Sequence, residues 1–302
     1  MAKQPRILTG KVAAITGGGR GIGRAMAQAF VREGMKVALG DLDLDVAKQT
    51  AQEIGSGTEA FELDVTKHGS VVDFADAVEA KLGPIDVFVN NAGIMQLGRF
   101  LDEDDATAHR MVDINIHGVE YGMKVVLPRM VQRNRGHMIN VASQAGKFGL
   151  PGGATYVATK FAVVGLTEAV RGELRLMGAD GVDMSVVMPA IVNTELGGGL
   201  TQTRGSKTLQ PEDVAEATVE ALKTGRYEVW VPKQNKGLYT STQLMPRPMR
   251  DAMTKALKGD QTLWSIDTTG RRAYELRASK SEPGLEPGQE PDELTERAGS
   301  SS

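Results

Sequence analysis

Thr16-Gly17-Gly18-Gly19-Arg20-Gly21-Ile22-Gly23 is the stretch on which the reading of the fold turns. It follows a short apolar run, Val12–Ile15, and opens a helical pattern, Gly21–Glu33. Glycines at such a turn let the backbone bend tightly and come close to a ligand. A helix starting there offers unpaired N–H groups and the positive end of its dipole to a pyrophosphate. A glycine-rich turn is common as mere structure. Its place between a strand and a helix is what ties it to anion binding.

Outward from that turn, short apolar runs alternate with helical patterns. The expected strands are Val12–Ile15, Lys36–Leu39, Ala60–Leu63, Asp86–Asn90, Met138–Val141, Met184–Met188 and Tyr227–Val231. Most are continuously apolar, as strands covered on both faces should be. The expected helices are Gly21–Glu33, Val46–Ile54, Ser70–Leu82, Asp104–Arg133, Ala154–Met177 and Glu212–Lys223, the last with Pro211 at its start. The alternation predicts an α/β fold: a doubly wound parallel sheet of about seven strands with helices on both faces.

Asp41 stands at the end of the second strand, 18 residues beyond Gly23. A carboxylate there can accept hydrogen bonds from both adenosine ribose hydroxyls and would repel a 2′-phosphate. Arg20, a cation in the turn, argues the other way, unless it pairs with Asp41 itself. The balance favours NAD, with NADP second. Tyr156 and Lys160 stand four residues apart on one helix face. An ammonium and a positive nicotinamide ring beside the phenol would lower its pKa from near 10, so that it exchanges protons near neutral pH. Ser143 ends the fifth strand, where ligands of such sheets sit, and can hold a substrate oxygen.

Taken together, Thr16–Gly23, Asp64, Asn90–Gly93, Asn115, Ser143, Tyr156, Lys160 and Pro189–Thr194 resemble the compact Rossmann-fold branch of the short-chain dehydrogenases/reductases, over residues from about 10 to 232. The resemblance implies a catalytic set of Asn115, Ser143, Tyr156 and Lys160, with Asn115 anchoring a water relay from Lys160. It implies a cofactor set of Gly17, Arg20, Gly21, Ile22, Gly23, Asp41, Asp64, Val65, Asn91, Ala92, Gly93, Tyr156, Lys160, Pro189, Ile191 and Thr194. In that set Asp64 and Val65 would meet the adenine, Lys160 the nicotinamide ribose, and Pro189 and Thr194 the carboxamide. The family pattern is usually Pro-Gly where this chain has Pro189-Ala190, which bears on the loop geometry there. The implied activity is interconversion of an alcohol and a ketone or aldehyde. An enoyl reductase would space the tyrosine and lysine more widely, and a non-catalytic dinucleotide sensor would commonly lack one of them.

Bulk properties agree with an enzyme of small molecules. The 302 residues include 35 basic and 38 acidic side chains, a net charge of -3, and no cysteine. No basic excess suggests nucleic acid, no thiolate metal site or disulfide is possible, and the four histidines lack metal-ligand spacing. Without an apolar leader or an 18-residue apolar run, the expectation is a cytoplasmic protein without a transmembrane segment. The expected organisation is a catalytic domain over 1–235, a helical extension over 236–279 and a disordered acidic tail over 280–302. In the extension, Met245, Met249, Ala252, Met253, Ala256 and Leu257 recur at helical spacing beside basic residues. That pattern suits a helix packed on its own subunit or a partner better than peripheral membrane contact. The helix holding Tyr156 is apolar on more than one face, which predicts a homodimer or homotetramer. The expected substrate wall comprises Met95, Gln96, Gln144, Leu150, Leu196 and a mobile loop over Thr194–Gln210, suited to a lipophilic, steroid-like or retinoid-like substrate.

Overall fold

The computed structural model describes residues 5–200, 208–256, 259–264, 271, 274–275 and 277–278. Seven strands form one sheet: β1 (Val12–Thr16), β2 (Lys36–Asp41), β3 (Glu59–Glu62), β4 (Ile85–Asn90), β5 (Gly136–Val141), β6 (Val182–Pro189) and β7 (Glu228–Val231). Their order is β3-β2-β1-β4-β5-β6-β7 and every pairing is parallel. This is the doubly wound sheet expected from the apolar runs.

The strands are covered on both faces because their side chains alternate between two cores. Val12 and Ala14 of β1 join Phe88, Met138, Met184 and Met188 in one core. The helices α3 (His68–Leu82), α5 (Gly118–Gln132) and α6 (Ala154–Leu176) close that side. Ala13 and Ile15 join Val87, Ile139 and Val187 in the other, closed by α1 (Gly21–Arg32), α2 (Leu44–Ile54) and α7 (Pro211–Thr224). The chain therefore leaves β1 toward one face and β4 toward the other, which opens a crevice at their carboxyl ends.

One expected helix is corrected and another starts later than expected. The run Asp104–Arg133 is not one helix: α4 (Asp105–Val112) and α5 flank a widened turn, Asp113–His117. Such turns arise where a side chain draws the backbone out of register. Here Asn115 is pulled inward by the Ile94 backbone and the Thr159 hydroxyl. The amphipathic pattern from Met245 falls on one helix, α9 (Arg247–Ala256), which begins only after Met245 and Pro246 and is preceded by a separate helix, α8 (Asn235–Gln243). Met249 of α9 is exposed. Leu257 and the tail 280–302 lie outside the described residues. No helix of the described residues is long and apolar enough to cross a membrane.

One buried polar pair lies between β5 and β6. His137 Nε2 is 2.7 Å from the Ser185 hydroxyl, and that hydroxyl donates to the Arg226 carbonyl. The ring must then donate from Nε2, leaving Nδ1 bare, and no described residue meets Nδ1. Burial pushes the imidazole down to about 4 from 6.5. Between those values the unfolded chain binds a proton that the folded chain refuses, so stability falls as pH drops through that window, by up to about 3 kcal/mol. His137→Leu should flatten the loss of melting temperature between pH 6.5 and 4; an unchanged acid limb in the variant would refute this assignment.

Candidate functional site

The site begins where β1 ends. The Thr16 hydroxyl accepts hydrogen bonds from the backbone N–H of Asn91 (2.9 Å) and Ala92 (3.0 Å). The Asn91 amide donates back to the carbonyls of Thr16 (2.9 Å) and Gly17 (3.0 Å). The loops after β1 and β4 are thus joined across the crevice, and the join leaves no room for side chains. A Cβ on Gly17, which has φ of +62°, would lie 2.9 Å from Ala92 Cα; one on Gly23 would lie 2.2 Å from the Gly17 carbonyl oxygen. The start of α1 is therefore an open cradle of backbone N–H groups, as pyrophosphate requires. Pro189 ends β6, and Ile191 and Thr194 lie along the loop after it. A Cβ built on Gly21 would come within 3.3 Å of Thr194 Cγ2, so the loop faces the turn. Ala190 donates its N–H to Val231 O at 2.8 Å, and its φ is not positive, so the place usually held by glycine accepts alanine without strain.

Asp41 closes the adenosine end. Its carboxylate accepts from the N–H groups of Gly19 (2.9 Å) and Asp43 (3.2 Å). Burial raises its proton affinity, and those two bonds with the nearby Arg20 offset part of the rise. The alternative of Arg20 pairing with Asp41 is not found. Arg20 pairs with Asp43 at 2.9 Å, because the Asp41 oxygens are turned toward backbone amides while the Asp43 carboxylate, capping α2, stands nearer the surface. Asp64 accepts from Thr66 and pairs with Lys67 at 3.0 Å. Burial pushes Asp64 up, yet these partners outweigh it and leave its pKa lowered. Val65 packs against Gly118 at the start of α5.

The other end of the crevice collects Ser143, Tyr156 and Lys160. Ser143 follows β5, and its hydroxyl caps the next turn by accepting from Ala145 N–H (3.1 Å). Tyr156 and Lys160 project from the first turns of α6, both buried at 6% exposure. Lys160 Nζ donates to Val141 O at 3.2 Å and lies 5.7 Å from the centroid of the Tyr156 ring. Among the described residues that carbonyl is its one hydrogen-bond acceptor. An ammonium so buried has donors to spare, and they border a cleft of about 1690 Å³ that also reaches Gly17, Asn91, Tyr156 and Thr194. Asn115, fully buried, accepts from Ile94 N–H (2.9 Å) and donates to Ile94 O (2.9 Å) and Thr159 (3.1 Å). Gly93 sits between Asn115 and Lys160: a Cβ there would be 3.1 Å from Asn115 Oδ1 and 3.6 Å from Lys160 Nζ.

Burial reverses the expected direction for Tyr156. Burial pushes the phenol up to about 12, against a hydrogen bond from Ser143 and the charge of Arg271, and lowers Lys160 to about 8. In the protein alone, removal from water outweighs the neighbouring charges that the spacing suggested.

Of the expected substrate wall, Met95, Gln144, Leu150 and Leu196 line the cleft. Gln96 does not: it is buried away from the cleft. Gln144 gives its amide to Val231 O (2.9 Å) and accepts from Asn235 (2.9 Å), so it is engaged by the protein. Of the expected loop, 201–207 lies outside the described residues; its ends are tied by bonds between Leu209 and Ile191 and between Asn193 and Leu209. Arg271 and Tyr274 were not foreseen. Tyr274 lines the cleft's substrate end, Arg271 is buried behind the Met95 and Leu196 backbone there, and no motif in the sequence marks either.

A parallel sheet crossed by a glycine cradle, with a carboxylate at one end and a buried tyrosine and lysine at the other, defines a dinucleotide-binding oxidoreductase. The profile of the short chain dehydrogenase family matches residues 11–205, and the chain belongs to that family. It is 31% identical over 236 residues to the mouse (Mus musculus) 17-beta-hydroxysteroid dehydrogenase 13, covering 76% of each chain. It is 39% identical over 189 residues to a sorbitol dehydrogenase of Cereibacter sphaeroides, covering 62% of this chain and 73% of the relative. The crystal structure of 3-ketoacyl-(acyl-carrier-protein) reductase from Brucella melitensis, complexed with NADH, superposes with a TM-score of 0.70 at 30% identity, covering 74% of this chain and 97% of the other. The protein is an NAD(P)-dependent oxidoreductase of alcohols and carbonyl compounds.

The cradle makes a direct prediction. Gly23→Ala forces a Cβ against the Gly17 carbonyl. Overpacking of this kind costs roughly 1–3 kcal/mol, so dinucleotide affinity should fall about tenfold or more. Calorimetric titration with NAD and NADP checks it; wild-type affinity in the variant would show that the turn is not the cradle.

Proposed function

We propose that the chain interconverts a lipophilic alcohol and its ketone or aldehyde with NAD as the preferred cofactor. The observation that carries the reading is the convergence of Ser143, Tyr156 and Lys160 on the same cleft as the glycine cradle. Bound at the cradle, the cofactor's nicotinamide supplies or accepts a hydride at the carbinol carbon. The protein's part is to hold the substrate oxygen and move its proton. The Ser143 hydroxyl and the Tyr156 phenol grip that oxygen. In reduction the phenol gives its proton as the carbonyl oxygen gains charge, and in oxidation it takes the alcohol proton. Lys160 steadies the phenolate electrostatically and gives its spare N–H groups to the nicotinamide ribose. Asn115 holds the widened turn beneath them and anchors a proton path toward solvent.

In this reading Gly17, Arg20, Gly21, Ile22 and Gly23 hold the pyrophosphate end, Asp41 the adenosine ribose, and Asp64 with Val65 the adenine. Asn91, Ala92 and Gly93 form the wall beside the cofactor, and Pro189, Ile191 and Thr194 meet the carboxamide. The apolar surroundings of Tyr156, from Met95, Leu150, Leu196 and Leu200, support a lipophilic substrate of steroid-like or retinoid-like kind. Residues 1–235 are the catalytic domain and 236–279 an extension at the substrate end. Exposed Phe161 on α6 supports a homodimer or homotetramer, in the cytoplasm.

Tyr156→Phe should lower turnover by about 10²–10⁴-fold, the ordinary worth of a positioned proton donor, with cofactor dissociation nearly unchanged. A variant that keeps more than about a tenth of the rate would remove Tyr156 from the role.

Cofactor choice rests on Asp41. Charge-assisted hydrogen bonds to the ribose are worth roughly 1.5–3 kcal/mol, and a 2′-phosphate would lose them and meet a like charge. Arg20, paired with Asp43 and part-exposed, offers a phosphate closer to about 1 kcal/mol. NAD should exceed NADP by more than about tenfold in kcat/KM, and Asp41→Ala should shrink or reverse the preference. Equal use of both by the wild type would mean that Arg20 prevails.

A further inference from the structure

Arg271 is 1% exposed, the largest fully buried side chain of the described residues, and its guanidinium is held by three backbone carbonyls and one carboxylate. Nη1 donates to the carbonyls of Leu196 (2.6 Å) and Gly198 (2.9 Å), and Nη2 to that of Met95 (2.6 Å). Nε donates to Glu275 (2.8 Å). The Tyr274 ring lies 4.8 Å from the guanidinium, and its hydroxyl accepts from Met95 N–H at 2.8 Å. Both sides of Met95's backbone are thus held by one short segment. The carbonyls come from two different loops, one leaving β4 and one leaving β6, and both border the substrate end of the cleft. A third wall is met by Leu263: a Cβ on Gly152, in the loop leading to α6, would lie 2.3 Å from Leu263 O. Tyr274 itself lines the cleft, and no described residue accepts its phenolic proton.

We propose that Arg271 and Tyr274 are the specificity-determining pair of the substrate site: Arg271 is a positioning residue that fixes the distance between the Met95 and Leu196–Gly198 walls, and Tyr274 closes the gap between them against substrate. The inference rests on the alcohol–ketone reading above. A guanidinium carries five donors in a rigid fork, and three of its bonds here span two loops. Removing it leaves three buried carbonyls without their donor, so the walls part. A wider site keeps its chemistry and its cofactor cradle but loses its grip on slender substrates and admits branched ones.

The test measures wild type, Arg271→Met, Arg271→Lys and Tyr274→Phe with a slender and a bulky branched secondary alcohol. Arg271→Met should raise KM for the slender alcohol about tenfold, with kcat changed by less than about threefold. The slender-to-branched ratio of kcat/KM should fall about tenfold. Arg271→Lys should not rescue the ratio, since a point charge cannot span two loops. Dinucleotide affinity should stay within about twofold in every variant. Folded variants with an unchanged selectivity ratio would overturn the proposal, as would full rescue by lysine. Hydrogen exchange at the Met95 amide supplies a readout independent of turnover. Exchange should speed in both Tyr274→Phe, which lacks the acceptor, and Arg271→Met. Unchanged exchange in both would sink the latch. If the wild type binds the dinucleotide yet turns over no alcohol or ketone, the functional reading fails on its own, and the exchange data still decide the latch.

Discussion

Strands β1 and β4 lie side by side, but the chain leaves them toward opposite faces of the sheet. Two loops that diverge from neighbouring strands would part, and the crevice between them would have no fixed shape. Four hydrogen bonds between Thr16–Gly17 and Asn91–Ala92 prevent this. Each is worth only about 1 kcal/mol net, but they are made over a few atoms and none can be exchanged for water without opening the crevice. The glycines follow from that join: with the loops this close, Gly17 and Gly23 have no space for a Cβ. The cradle, the turn into α1 and the reach of Asp41 to Gly19 all presuppose it.

Burial governs the opposite end of the crevice. Lys160 could satisfy its charge in water, but here one carbonyl serves it, and its pKa falls to about 8. Tyr156 is pushed up to about 12 by the same cause. A phenol so disposed is an acid with its proton in place at neutral pH. It becomes a base only when positive charge is near, and Lys160 and a bound nicotinamide are where such charge can come from. The low dielectric that raises the cost of the phenolate also strengthens each of those interactions. In the proposed reaction the site is therefore tuned by what it excludes as much as by what it contains.

Local spacing carried most of this into the sequence. The turn at Thr16–Gly23 and the Tyr156–Lys160 pair are legible because backbone closeness and helical period act over a few residues. The seven strands are legible because two-sided burial demands continuous apolar runs. Where tertiary contacts decide, the sequence is silent. Nothing in Asp113–His117 distinguishes a widened turn from ordinary helix; the difference is made by Ile94 and Thr159, which arrive from other elements. Arg20 had two acids within reach, and the choice of Asp43 over Asp41 depended on which carboxylate the backbone amides had already taken.

Arg271 was illegible for a deeper reason. Its main partners are carbonyl oxygens, which every residue possesses and no pattern records. Loops leaving parallel strands carry carbonyls that no ladder satisfies, and at the mouth of this sheet Met95, Leu196 and Gly198 present theirs toward one point. Any long side chain with several donors could gather them, from any later segment that passes by. The cofactor end offers no such freedom, because its geometry is fixed by β1, β4 and α1 together. The two ends of the cleft are thus built under different rules. One is set early in the chain by backbone closeness that only particular residues permit. The other is set late, by a side chain binding groups that any sequence would supply, so that the substrate wall can change without disturbing the sheet beneath it.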